Sequence, residues 1–266
     1  MSLTLTFLGT GTSHGVPMIG CPCAVCHSAD PRDRRLRTSV LLEWPLADRD
    51  TPCRVVVDTG PDFRTQALAH GLTWLDALLF THSHADHIFG LDDVRRFNHL
   101  QRAAMPAYAD AMTAADLRHT FRYIFDQADQ RGGGLPQVTL QEVTAPFVLG
   151  GQLVIPVPVM HGRRPILGYR IGGVAYLTDC NAIPETSWPL LADLDVLVLD
   201  ALRDRAHPTH FSLEEAVAVA TRVGARRTLF THVCHELPHA STCARLPEGM
   251  ALAHDGLVVT ASAEAA

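Results

Sequence analysis

Phe80-Thr-His82-Ser-His84-Ala-Asp86-His87 places four potential metal donors within six residues. The apolar run Ala77–Phe80 leads into it, and a helical pattern beginning at Leu91 follows. Imidazole and carboxylate donors can converge on one point only from a rigid support. In a turn leaving a strand end, His82 and His84 share a direction while Asp86 and His87 swing to a neighbouring position. That division suits two adjacent ions. The same grammar, an apolar run and then a donor, recurs downstream. His161 follows Leu153–Val159, Asp179 ends Val174-Ala-Tyr-Leu-Thr-Asp179, and His232 ends Thr228-Leu-Phe-Thr-His232. A carboxylate such as Asp179, at the end of its own strand, can bridge two cations.

Further short β-branched runs lie between turn signals at Leu3–Leu8, Ser39–Trp44, Arg54–Val57, Ile166–Ile171, Val196–Leu199 and Leu257–Thr260. Their lengths fit sheet strands better than helices. Helical patterns are predicted at Asp62–His70, Leu91–Arg102, Thr113–Gln130, Leu213–Arg222 and around Pro189–Leu194. Strands dominate each half and helices punctuate them, which predicts an α/β sandwich with helices on the outer faces. No composition break divides residues 1–266, so one domain is expected. The segment Met105–Gln137 reads as a helical excursion ending in the joint Arg131-Gly-Gly-Gly134, a candidate wall of the substrate pocket.

Composition narrows the function classes. With 47% hydrophobic and 19% charged residues the chain is globular. Its 22 Lys and Arg against 28 Asp and Glu give a formal charge of −6, with no basic tract, which disfavours binding of long nucleic acid. No stretch approaches the ~18–20 apolar residues of a membrane span, and the first residues lack a signal-peptide pattern; a cytoplasmic protein is expected. Seven cysteines, three of them in Cys21-Pro-Cys23-Ala-Val-Cys26, suggest metal more than disulfide in a reducing compartment. Three thiolates need a fourth ligand for tetrahedral zinc, and His235, three residues beyond His232, is placed to supply it.

The HxHxDH motif, His161, Tyr-Leu-Thr-Asp179 and Thr-His232, in that order, resemble the metallo-β-lactamase superfamily across essentially the whole chain. The resemblance implies an αββα sandwich with two divalent ions at one edge of the sheets. His82, His84 and His161 would hold one ion and Asp86, His87 and His232 the other, with Asp179 and a hydroxide bridging them. Asp58, in Val55-Val-Val-Asp58, matches a residue that braces the ligand loop. The aspartate at position 179, where true lactamases usually carry cysteine, points away from that branch.

Phe7-Leu-Gly9-Thr-Gly11, the Cys21/Cys23/Cys26 cluster and Thr-His232-Val-Cys-His235 together resemble the PhnP-like phosphodiesterases of bacterial phosphonate degradation. That subgroup implies hydrolysis of cyclic ribose phosphates and related small or nucleotide-like phosphodiesters. It also implies manganese or zinc at the paired site, a structural zinc at the cysteines, and a homodimer. His210, in Pro208-Thr-His210-Phe-Ser-Leu, matches a histidine proposed as general acid. Arg163, Arg164, Arg203 and Arg205 lie close in sequence to ligands and are candidate phosphate contacts. Two alternatives remain open at this point. One is an RNA 3′-end nuclease resembling tRNase Z; the other is a non-catalytic, PqqB-like carrier of a small molecule.

Overall fold

The computed structural model describes residues 2–126 and 134–263. The chain runs β1 (Ser2–Gly9), β2 (Ser39–Trp44), β3 (Cys53–Val57), α1 (Phe63–Ala69), β4 (Ala77–Leu79), α2 (Ala85–Ile88), α3 (Arg95–Gln101), β5 (Met105–Ala109), α4 (Ala111–Thr120), α5 (Arg122–Phe125) and β6 (Val138–Glu142). It continues through β7 (Phe147–Leu149), β8 (Gln152–His161), β9 (Arg164–Ile171), β10 (Val174–Leu177), β11 (Val196–Asp200), α6 (Leu213–Val223), β12 (Arg227–Thr231), α7 (His239–Cys243), β13 (Met250–Leu252) and β14 (Val258–Ser262). Two sheets form, in the orders β14-β1-β2-β3-β4-β5-β6 and β13-β12-β11-β10-β9-β8-β7. In each sheet one side is antiparallel and the other parallel.

The layering follows from strand periodicity. Along β11, Val196 and Val198 enter the core between the sheets, whereas Leu197 and Leu199 face outward under α6. A strand covered on both faces reads as a continuous apolar run because both sets of side chains are buried. The outer face of the first sheet is covered in the same way, with Phe63 of α1, Phe97 of α3 and Leu117 of α4 packed over Val56 and Leu78. The result is the four-layer αββα sandwich expected from the motif order. Each large apolar side chain fully buried in it contributes about 1.5–3 kcal/mol.

Several local expectations are corrected. Met105–Gln137 opens with strand β5, which pairs in parallel with β4 and β6. Pro106 and two alanines had hidden its pattern, since those residues have weak strand preference. The helix expected over Thr113–Gln130 begins earlier, at Ala111, where Asp110 accepts from the Thr113 amide. It breaks at Phe121, whose ψ of 46° leaves the helical region. Residues 127–130 of that helix, and 131–133 of the expected glycine joint, lie outside the described residues. Leu91–Arg102 divides into a 3-10 turn, Leu91–Val94, and α3. The helical turn near Pro189 is a 3-10 segment, Glu185–Leu191, displaced toward the N-terminus.

Candidate metal centre

The parallel strands β3, β4, β10 and β12 are followed by Asp58, His82, Asp179 and His232, while His161 closes the antiparallel strand β8 and Asp86 and His87 lie in α2. Ligands collect beyond the carboxyl ends of strands in such sheets because the chain must turn there, leaving a crevice. Asp58, Asp179 and His232 each take left-handed backbone, with φ of 64°, 56° and 58°. That conformation costs of order 1–3 kcal/mol for a non-glycine residue and collects at functional sites. Three of the five such residues in the described chain stand at these strand ends.

Two donor sets form. His82, His84 and His161 bring ring nitrogens within 4.8 Å of one another, and Asp86, His87, Asp179 and His232 form a second set by the same measure. His82 Nε2 lies 3.0 Å from His84 Nδ1 and 3.8 Å from Asp179 Oδ2. His87 Nε2 lies 3.3 Å from Asp179 Oδ1, while His232 Nε2 lies 3.2 Å from Asp179 Oδ2. Asp179 therefore faces both sets. Asp86 Oδ2 completes the second, 3.4 Å from His87 Nε2 and 3.6 Å from His232 Nε2.

The chemistry of these groups fits divalent cations. His87 Nε2 and His232 Nε2 are buried, yet neither has a hydrogen-bond partner. Buried polar atoms are normally paired, so two ring nitrogens left facing carboxylates mark space for a cation. Burial, assisted by neighbouring imidazoles, holds His82, His84 and His161 below the ordinary histidine range, which leaves their lone pairs available. Burial alone would raise Asp86 and Asp179, but the facing His87 and His232 rings outweigh it and keep both carboxyls ionised.

Supporting contacts fix the rings. The Thr81 amide and hydroxyl donate to Asp58 at 2.8 Å each, and His87 Nδ1 donates to Asp58 Oδ2 at 2.7 Å. This leaves His87 Nε2 as the free donor atom. Asp58 thus ties the loop to His87 from behind. Gly60 permits close approach: a Cβ there would stand 2.0 Å from the Asp86 carbonyl oxygen. His161 Nδ1 donates to the Thr209 carbonyl at 2.9 Å, aiming Nε2 toward His82 and His84.

His210 joins this group. Its ring stacks on His232 with centroids 4.7 Å apart and meets His161 edge-on at 4.8 Å. Its Nδ1 donates to Asp200 Oδ2 at 2.8 Å. The other oxygen of Asp200 lies 3.8 Å from His232 Nδ1. Sequence reasoning missed Asp200, although it ends an apolar strand as Asp179 does. Burial opposes charge on both partners, raising Asp200 and lowering His210.

A cavity of about 330 Å³ opens beside His210, walled by Ser13, His14, Met18, Arg203, His207 and His235 among others. Arg203 and Arg205 both line it, but the Arg205 guanidinium is paired with Glu236. The Arg203 guanidinium donates to the backbone carbonyls of Arg205 and Ala206. Arg164 is engaged with Asp116 and Ser83, and Arg163 is exposed.

Cys21, Cys23, Cys26 and His235 also converge, with His235 Nδ1 3.2 Å from Cys21 Sγ and 3.3 Å from Cys23 Sγ. The Cys26 amide and the His235 ring pull the Cys23 thiol down to about 6, whereas burial pushes Cys26 up to about 11. His239 stands apart from this group, its amide donating to Asp33 and its ring beside Cys243. The glycines of Gly9-Thr-Gly11 serve as backbone packing for the neighbouring loop. The Val233 amide, next to His232, donates to the Thr10 carbonyl at 2.9 Å.

Comparison with known proteins places these features in context. Residues 53–233 match the family model described as a β-lactamase superfamily domain. The crystal structure of a diphosphatase from the PhnP family superposes with a TM-score of 0.90 at 48% identity, over 98% of this chain and 97% of that one. Zinc-bound PqqB from Methylobacterium extorquens gives a TM-score of 0.75 at 20% identity, covering 96% of this chain and 99% of PqqB, a likeness of fold alone. Among curated proteins, an octanoyltransferase of Porphyromonas gingivalis is 37% identical over 252 residues, 94% of this chain. The chain spans about half the length of that relative, 50%, and the named activity is that of the longer protein.

Proposed function

The chain belongs to the β-lactamase superfamily, within its PhnP-like subgroup; from that premise we propose that it is a metal-dependent hydrolase, a dinuclear phosphodiesterase of small, cyclic or nucleotide-like phosphodiesters. The observation that carries the proposal is His210, paired with Asp200, standing against both donor sets and lining a cavity of small-molecule size. In this reading His82, His84 and His161 hold one ion, Asp86, His87 and His232 the other, and Asp179 faces both. Manganese or zinc suits such a nitrogen and oxygen set. When bound, two divalent ions supply Lewis-acid chemistry, lowering the pKa of water and offsetting charge on phosphoryl oxygens. Cys21, Cys23, Cys26 and His235 form a closed set suited to a structural zinc.

The chain's own residues then divide the work. The Asp200 carboxylate accepts the Nδ1 proton of His210 and so fixes which nitrogen, Nε2, is left for the substrate. An anionic diester in the cavity raises the His210 pKa against the lowering by burial, which lets Nε2 carry a proton to the departing alkoxide. Arg203 brings positive charge to the cavity, and His14 and His207 add ring nitrogens that can hydrogen-bond an anionic substrate in a chain of net charge −6. A cavity of about 330 Å³ lies at the small end of ligand sites and favours a small diester over a folded RNA.

The test is hydrolysis of a cyclic ribose phosphate and of bis(p-nitrophenyl) phosphate by manganese-loaded protein, beside His210→Ala. The variant is expected to lose about 10²–10⁴-fold in kcat on the alkyl ester, and much less on the nitrophenyl ester, whose leaving group needs no proton. Turnover of a tRNA precursor with neither small diester touched would overturn the proposal.

A further inference from the structure

Ser83 stands between two of the ring donors, and its hydroxyl donates to the Asp116 carboxylate of α4. The Arg164 guanidinium reaches both partners, with Nη2 3.0 Å from Ser83 Oγ and 3.0 Å from Asp116 Oδ2. Three hydrogen bonds thus close a triangle. Arg164 is also paired directly opposite His161 in the β8–β9 ladder, and directly opposed residues of an antiparallel pair project on the same face. The triangle therefore joins the loop carrying His82 and His84 to the hairpin carrying His161, and fastens both to α4.

The two donor sets differ in what supports them. Asp86 and His87 rest on Asp58 and on the Thr59 amide, which donates to the His87 carbonyl at 2.8 Å. His232 is held by the Thr10–Thr12 segment, through the Val233 bond to Thr10 and a Thr12 amide that donates to the Val233 carbonyl. His84, by contrast, is exposed, and among the described residues its ring bonds only to His82. The loop beside it is pinned by Ser83. Ser83 and Asp116 both engage Arg164 Nη2.

We infer that Asp116 and Arg164 are positioning residues for the His82–His84–His161 site, so that opening their triangle with Ser83 weakens that ion position and spares the one at Asp86, His87 and His232. The inference rests on the two-ion reading above. An exposed ion pair by itself adds only about 0–1 kcal/mol to stability, so the expected consequence is local. Contacts that orient ligands typically change metal affinity by about 10–100-fold.

The experiment is manganese titration of the purified full chain and of Asp116→Ala and Arg164→Ala, read by ion count after equilibrium dialysis and by electron paramagnetic resonance. Wild type is expected to bind two ions with a spin-coupled signal, apart from zinc at the cysteines. Each variant should keep one tight ion with an uncoupled six-line signal, its second ion bound about 10–100-fold more weakly. Asp116→Asn, which keeps an acceptor for both donors, should restore most of the coupling, and it serves as the second variant should an alanine protein fail to fold. Two ions of unchanged affinity in both alanine variants would overturn the inference and leave the two-ion reading standing. Equal weakening of both positions would also overturn it. A wild type that never binds a second ion would sink both readings together.

Discussion

The histidine–aspartate cluster and the cysteine cluster both gather potential ligands, yet the chain builds them in opposite ways. In the first, His82, Asp86, His87, His161, Asp179 and His232 are buried, and each stands in or directly after a strand or short helix. Hydrogen bonds from the rings to Asp58, Thr81 and Thr209 set their orientation. In the second, all four residues are partly exposed and lie on segments without regular structure. The difference teaches which partner does the organising. At the strand ends the scaffold fixes the donors and the ions add chemistry. At the cysteines an ion, when bound, would tie together two segments without regular structure, the usual coupling of metal to local folding.

If the first cluster is organised by the scaffold, removing one supporting carboxylate should damage chemistry without unfolding the chain. Asp200→Asn is the sharpest such change. The amide introduced there can turn its NH2 toward His210 Nδ1, which reverses the ring's tautomer. It also removes the negative charge that steadies a doubly protonated ring, so His210 becomes a weaker source of the proton for the leaving group. The kcat on an alkyl phosphodiester is expected to fall by about 10²–10⁴-fold, with metal content unchanged by elemental analysis. Loss of one ion together with kcat would instead show that Asp200 acts through His232, toward which its second oxygen is turned.

How much of this was legible in the sequence follows the same division. Donors that end apolar strands announced themselves, because a run such as Val174–Leu177 and the aspartate after it are neighbours in sequence. So did the strand at Val196–Leu199. Asp200 obeyed that grammar and was still missed, because its partner His210 returns ten residues later and no local pattern joins them. The Ser83–Asp116–Arg164 triangle spans separations of 33, 48 and 81 residues, and no periodicity reports such a contact. Strands β6, β7 and β13 escaped for a different reason. β6 and β7 are edge strands with half-exposed side chains and weak alternation, and β13 is only three residues long.

The floor shared by the two clusters offers a second way to sharpen the contrast. Asp255 accepts from the Thr10 hydroxyl and the Leu36 amide, both at 2.7 Å, and so anchors the segment that runs from the back of His232 toward the cysteines. Burial pushes its carboxyl up to about 6. Its pKa in the folded protein is therefore above the unfolded value of about 3.9, and the folded state binds more protons between those limits. Stability should fall as pH rises from about 4 to about 6 and level off above. A shift of about two units caps the effect near 3 kcal/mol. Urea denaturation of wild type and Asp255→Asn across this range gives the check, and the variant should lose that part of the slope. Parallel curves would mean that Asp255 stays ionised in its half-buried place.

The smallest effect is expected at the cysteine cluster, where the proposed zinc would link two segments without regular structure. Cys23→Ser removes the thiol that the Cys26 amide and His235 prepare as a thiolate, so the cysteine site should lose zinc. Strands and core do not depend on it, and the melting temperature should drop by only a few degrees. The walls of the cavity do depend on it, since Ser13, His14 and Met18 lie on one of the loops it joins and His235 on the other. KM should therefore rise a few-fold, while kcat and the two-ion content stay close to wild type. The split between KM and kcat is the decisive reading, because a loosened pocket weakens binding without disturbing groups fixed at strand ends. If kcat fell with KM and the paired ions were lost as well, the cysteine loops would be part of the support for His232, and the two clusters would have to be treated as one cooperative unit.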